Sequence, residues 1–150
     1  MCVPFLYVTV VRKDIMEDKI IKQLIEEAKK SLKTDDVPVG AIIVENDKIL
    51  AKDHNTREKT HKITGHAEIN VIEKACKIKK TWHLEDCELY VTLEPCKMCL
   101  EVIKQAKIKK IKYLTNQEKQ VKELKIEMIK LETVENASEL LKEFFKNKRK

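Results

Sequence analysis

The tightest constraint on this chain is a pair of short motifs, His66-Ala67-Glu68 and Pro95-Cys96-Lys97-Met98-Cys99, whose chemistry makes sense only if they meet. One imidazole and two thiolates are three metal ligands, and an ion held by three protein ligands keeps a fourth position for water. Cys96 and Cys99 are three apart, so on a helix both sulfurs reach one ion from one face. In a first helical turn the dipole and the free N–H groups also favour thiolates. Glu68 lies two residues past His66 and points elsewhere on a regular helix, toward the water instead of the ion. Zinc lowers the pKa of such a water from about 16 to about 7. A nearby carboxylate can take its proton and later deliver it to a leaving group. A lone Cys-x-x-Cys is a weak signal; preceded by Pro95 and a strand, and joined to His-Ala-Glu, it reads as a hydrolytic zinc centre. A zinc that only holds the fold would need a fourth ligand. Cys87 starts a strand whose other end carries the motif, and His54, His61 and His83 read as solvated or supporting.

The rest of the chain supplies the scaffold. Glu17 to Leu32 has Ile20, Ile21, Leu24, Ile25 and Ala28 at helical spacing. Val37-Pro38-Val39-Gly40 leads into a strand over Ala41–Val44. Asn46-Asp47 is a turn signal, and Lys48–Asp53 returns as the hairpin partner. His54–Thr64 reads as a loop, His66–Lys79 as a helix, Cys87–Leu93 as a strand and Cys96–Ala106 as a helix, with Pro95 suited to its first turn. Lys109–Thr115 alternates lysine with apolar residues, as an edge-like or one-sided strand would. Leu124–Leu131 repeats that pattern, and Ala137–Lys146 is a last helix with Leu140, Leu141, Phe144 and Phe145 on one face. This order predicts a three-layer α/β domain with five strands. Residues 16–150 form the single domain. Residues 1–15 read as an N-terminal extension, a loose strand or arm, with the native start open between Met1 and Met16.

Composition narrows the setting. Hydrophobic residues are 43% and charged residues 37%, as in a globular chain and not a disordered one. Met1–Val11 is apolar but too short to span a bilayer, and it lacks the features of a signal peptide. Five cysteines with no disulfide framework suit a reducing cytoplasm. The net charge of +6 suits a phosphate-bearing partner, first of all nucleic acid. Basic residues cluster at Lys142, Lys146, Lys148, Arg149 and Lys150, and again at Lys104, Lys107, Lys109, Lys110 and Lys112. With only two glycines, Gly40 and Gly65, each is expected to have a positional reason.

The motifs match the general signature of zinc base deaminases, H-x-E…P-C-x-x-C. The chain resembles the bacterial tRNA-specific adenosine deaminases over nearly its whole length, from about Asp18 to Lys150. The likeness rests on Val37-Pro38-Val39-Gly40-Ala41, His66-Ala67-Glu68-Ile69, Leu89 to Cys96, and Met98-Cys99. It implies a cytidine-deaminase-like α/β/α fold with a mixed five-stranded sheet. It implies one zinc per subunit on His66, Cys96 and Cys99, with Glu68 shuttling protons. It places Asn55 against the base, Val39 and Leu93 as pocket walls, and Ala67 and Glu94 as backbone partners. Lys146, Lys148, Arg149 and Lys150 would hold RNA phosphates, and a homodimer would bind the tRNA anticodon loop. The chain departs from the family pattern at Lys62-Ile63-Thr64-Gly65 and from Tyr113 to Glu123. The second departure leaves Asn116–Glu123 for a crossover that usually takes a dozen residues or more; a parallel fifth strand is still favoured over a hairpin.

The leading expectation is hydrolytic deamination of adenosine to inosine at the tRNA wobble position. A deaminase of guanine, cytosine or a nucleotide shares both motifs and is the alternative enzyme reading. A non-catalytic, zinc-stabilised RNA-binding subunit is the third reading, and an intact Glu68 speaks against it.

Overall fold

The computed structural model describes residues 3–117, 126–131 and 137–148, with side chains described from residue 15 onward. Five strands form one sheet: β1 (Gly40–Glu45), β2 (Lys48–His54), β3 (Cys87–Leu93), β4 (Lys110–Thr115) and β5 (Glu127–Lys130). Their order is β2-β1-β3-β4-β5. β1 pairs antiparallel with β2 and β3, whereas β3–β4 and β4–β5 are parallel. The helices are α1 (Val3–Lys30), a single turn α2 (Arg57–Thr60), α3 (Ala67–Lys79), α4 (Lys97–Gln105) and α5 (Ala137–Lys148).

The alternation of side chains along each strand divides the core in two. Ala41, Ile43, Leu89, Val91 and Ile111 pack under α3 and α4 with Ile69, Ile72, Leu100 and Ile103. Ile42, Val44, Tyr90 and Leu114 face the other way, onto Ile20, Ile21, Leu24 and Ile25 of α1 and Ala137 of α5. The result is the expected three-layer α/β/α domain.

Both glycines are demanded by close approach, not by backbone angle. A Cβ on Gly40 would stand 2.4 Å from the Leu24 carbonyl oxygen and 2.8 Å from the Ala28 nitrogen, so a side chain here would push α1 off β1. One on Gly65 would stand 2.8 Å from the Arg57 Cα. Left-handed positions are filled by other residues. Asn46 (φ 50°) and Asp47 (φ 61°) turn the β1–β2 hairpin, and Lys80 (φ 57°) follows α3.

Three expectations change. Residues 3–15 are helical and continuous with α1, not a strand or arm. Their β-branched residues suggest a strand, but extending an existing helix adds a backbone bond per residue without a new nucleus. β4 is an inner strand, not an edge. Lys112 is buried, with Nζ 3.2 Å from the Tyr90 hydroxyl, 3.4 Å from Glu17 Oε1 and 3.6 Å from Glu88 Oε2. The lysine alternation thus hides a paired core cation. The fifth strand is parallel, as favoured, and begins at Glu127 instead of Leu124, which leaves residues 116–126 for the crossover. Of that crossover, residues 118–125 lie outside the described ones.

One edge of the sheet collects the start of β1 and the ends of β2, β3 and β4, since Gly40 pairs with His54 and Leu93 with Thr115. Open α/β sheets bind ligands outside such strand ends.

Candidate active site

His66 is the N-cap of α3 and Cys96 the N-cap of α4; both have extended backbone and neither side chain caps its own helix. The two helix starts therefore turn these side chains toward each other beyond the sheet edge. His66 Nδ1 lies 3.7 Å from Cys96 Sγ and 3.4 Å from Cys99 Sγ. All three ligand atoms fall within 4.8 Å of one another, close enough to hold one metal ion. Glu68, in the first turn of α3, is buried.

The electrostatics of the cluster are those of a cation-binding set. A hydrogen bond from Cys99 and another from His66 hold the Cys96 thiol down at about 3. The resulting thiolate pushes the Cys99 thiol up, and burial adds to this. Hydrogen bonding to Cys96 raises His66. Burial raises Glu68 above the ordinary carboxylate value. The protons held by Cys99 and His66 around the Cys96 thiolate are those that a metal displaces when it binds.

Asn55 follows β2 on a loop pinned from three sides. Its backbone N–H donates to the Val39 carbonyl (3.0 Å), and its own carbonyl accepts from the Ser31 hydroxyl (2.8 Å). Its side chain is partly spent on the loop: Nδ2 donates to the Val37 carbonyl (3.1 Å) and Oδ1 accepts from the Arg57 N–H (3.1 Å). Asn70 of α3 donates to the His54 and Gly65 carbonyls and to the Thr56 hydroxyl. A primary amide has two donor hydrogens and two acceptor lone pairs, so Asn55 retains one of each for a ligand.

A cavity of about 470 Å³ opens over the cluster, a size suited to a small ligand. Asn55, Val39, Ala67, Leu93, Glu94, His66, Glu68 and Cys96 all line it. Cys99 lies beneath, fully buried. Glu94 is buried, and its Oε1 is the one such side-chain oxygen without a hydrogen-bond partner among the described residues. Lys148 of α5 lines the mouth, paired with Asp35 and set 5.8 Å from the Phe144 ring centre. Lys146 is exposed and does not line the cavity. Arg149 and Lys150 lie outside the described residues. In the second basic cluster Lys110 faces Glu88 and Glu127, and Lys112 is buried.

Sequence reading did not single out Arg57, Asp36 or Gln117. Asp36 sits in a segment read only as a helix break. It is fully buried, and its carboxylate accepts from the Thr34 hydroxyl and the Glu58 N–H, both at 2.5 Å. Gln117 donates to the Pro95 carbonyl at 2.8 Å. Arg57 is an exposed residue in a polar loop, which carries no pattern. Phe144 and Phe145 were legible as an apolar helix face; their place at the cavity mouth was not.

Comparison with known proteins finds deaminases of more than one substrate. The MafB19-like deaminase family matches residues 15–149. A tRNA-specific adenosine deaminase of Aquifex aeolicus is 38% identical over 145 residues, covering 89% of this chain and 96% of the relative. One from Bacillus subtilis is 43% identical over 95 residues; that match covers 63% of this chain and only 59% of the relative. A structure solved in work on A-to-I editing by tRNA:A34 deaminases superposes with a TM-score of 0.71 at 27% identity, over 77% of this chain and 98% of that one. Among the described residues no helix is long and apolar enough to cross a membrane.

Proposed function

Because this chain belongs to the tRNA-specific adenosine deaminase family, we propose that it converts adenosine to inosine at the wobble position of a tRNA anticodon. The observation that carries the reading is the convergence of His66, Cys96 and Cys99 on one point beside the buried Glu68, under a cavity with room for a nucleoside.

Zinc is the proposed ion. In a tetrahedral zinc site, imidazole nitrogen and thiolate sulfur stand about 3.6 Å apart, and the separations of 3.7 and 3.4 Å bracket that value. When bound, zinc would supply the acidity that makes water a nucleophile at neutral pH. The chain's own residues do the rest. Asn55, with one free donor and one free acceptor, would orient the base, and Val39 and Leu93 would wall it in. Backbone groups at Ala67 and Glu94 would meet the base and its amine. Glu68 takes the proton from the attacking water and passes it to the amine, which leaves as ammonia as the ring carbon gains oxygen. A buried carboxylate whose proton affinity is raised suits both halves of that transfer. Anticodon loops present unstacked bases that can be drawn into such a cavity. Lys146, Lys148, Arg149 and Lys150 would add phosphate contacts. A homodimer acting in the cytoplasm, each subunit a single deaminase domain over residues 16–150, completes the proposal.

The test is incubation of the metal-loaded protein with total tRNA and, separately, with guanine, cytosine and free nucleosides. Inosine at position 34 is expected in at least one tRNA. Ammonia from a free base, with no tRNA inosine, overturns the reading.

A further inference from the structure

Arg57 stands at the cavity mouth with Nη1 3.4 Å from His66 Nε2. His66 turns its Nδ1 to the two sulfurs. With Nδ1 serving as the metal ligand, Nε2 carries the ring hydrogen and is a donor. A guanidinium is a donor only. Metal-bound imidazoles ordinarily give their outer N–H to a carboxylate, a carbonyl or water. With a metal on Nδ1, that N–H and the Arg57 guanidinium would be two donors side by side, able to share one acceptor. Among the described residues no carboxylate lies within ion-pair distance of Arg57. Lys148, the other basic side chain on the cavity wall, forms an exposed pair with Asp35.

The backbone under Arg57 is firmly placed. Its N–H donates to Asn55 Oδ1, Thr56 N–H donates to the Gly65 carbonyl (2.9 Å), and the Arg57 Cα occupies the space that a side chain at Gly65 would need. The guanidinium thus projects from a fixed base into solvent at the rim. A nucleotide with its base in the cavity would carry its ribose and phosphates outward, toward that rim.

We propose that Arg57 and His66 Nε2–H together bind a phosphate oxygen of the RNA backbone beside the target nucleotide. The arrangement satisfies both donors with one anion, and the guanidinium fork matches phosphate geometry. It also separates polynucleotide from free base, which has no oxygen to offer there. The inference rests on the tRNA reading above.

The experiment uses the metal-loaded Glu68→Ala protein, so that bound RNA is not converted. Its affinity for an anticodon stem-loop RNA is measured across a series of salt concentrations, with and without Arg57→Gln or Arg57→Lys. Arg57→Gln is expected to weaken binding about tenfold and to reduce the slope of log affinity against log salt by about one. Arg57→Lys should keep the slope and lose part of the affinity. Metal content should stay at one ion per chain in all variants. An unchanged slope in Arg57→Gln overturns the inference alone, and so does loss of metal, which would make Arg57 a support for His66. If the Glu68→Ala parent does not bind the RNA, the tRNA reading falls as well.

Discussion

The floor and the rim of the cavity are built on opposite principles. The floor consists of His66, Glu68, Cys96 and Cys99 at two helix starts, backed by the sheet; Glu68 is 5% exposed and Cys99 fully buried. The rim consists of Arg57, Phe145 and Lys148, on a one-turn helix and on α5, and all three are exposed. Buried or half-buried groups packed at helix starts have little freedom, so the floor can place a reacting atom. Exposed cations and aromatics give adjustable contact, which suits an RNA loop. The floor accordingly sets the reaction, and the rim sets what is brought to it.

The largest effects are expected on the floor. Cys96→Ser should lose the metal and fall to background deamination, whereas Glu68→Ala should keep the metal and lose about 10²- to 10⁴-fold in turnover. Elemental analysis beside inosine formation separates the two. A Glu68→Ala protein with near-normal turnover would remove Glu68 from the chemistry, and a metal-replete Cys96→Ser protein would remove Cys96 from the ligand set. The rim should respond differently. Phe145, 46% exposed and edge-on to Phe144 at 5.4 Å, offers a stacking face at the mouth. Base–aromatic stacking contributes about 1–3 kcal/mol, so Phe145→Ala should raise the tRNA concentration for half-maximal rate roughly five- to 150-fold. Turnover at saturation should stay within a few-fold. A fall in saturated turnover with unchanged half-saturation would place Phe145 with the floor and break the division.

The same division marks what could be read from the sequence. Metal ligation needs particular residue types at particular spacings, so His66, Glu68, Cys96 and Cys99 stand out in the chain, and their helix starts follow from Pro95 and the flanking strands. The short apolar run of β1, the Val, Tyr and Thr of β3 and the helical spacing in α1 give the layers. The rim lacks such a code. Arg57 is one polar residue among many from His54 to Thr64, and it acquires meaning only when Gly65 folds back against it. Lys112 misleads for a related reason: alternation cannot distinguish an exposed lysine from one buried against Tyr90, Glu17 and Glu88. Residues 3–15 carry strand-forming side chains yet continue α1, a case of chain connectivity outweighing local preference.

A smaller effect would sharpen the account of why the floor is firm. Glu27 of α1 is 3% exposed and reaches through to the end of β2, with Oε2 3.2 Å from His54 Nδ1 and Oε1 2.7 Å from Lys30 Nζ. His54 immediately precedes Asn55, so this pair ties the cavity wall to the opposite layer. Burial alone would raise the Glu27 carboxyl, but hydrogen bonds and charge from Lys30 and His54 bring it below its ordinary 4.5. A carboxylate depressed in the folded state contributes stability above its unfolded pKa and loses it as pH falls through the folded value. Glu27→Gln should therefore cost about 1–3 kcal/mol at neutral pH. The gap in Tm between the two proteins should narrow as pH drops below about 4.5. A gap that stayed constant into acid would mean that Glu27 holds the wall by shape and neutral hydrogen bonding, and that the floor owes nothing to this buried charge.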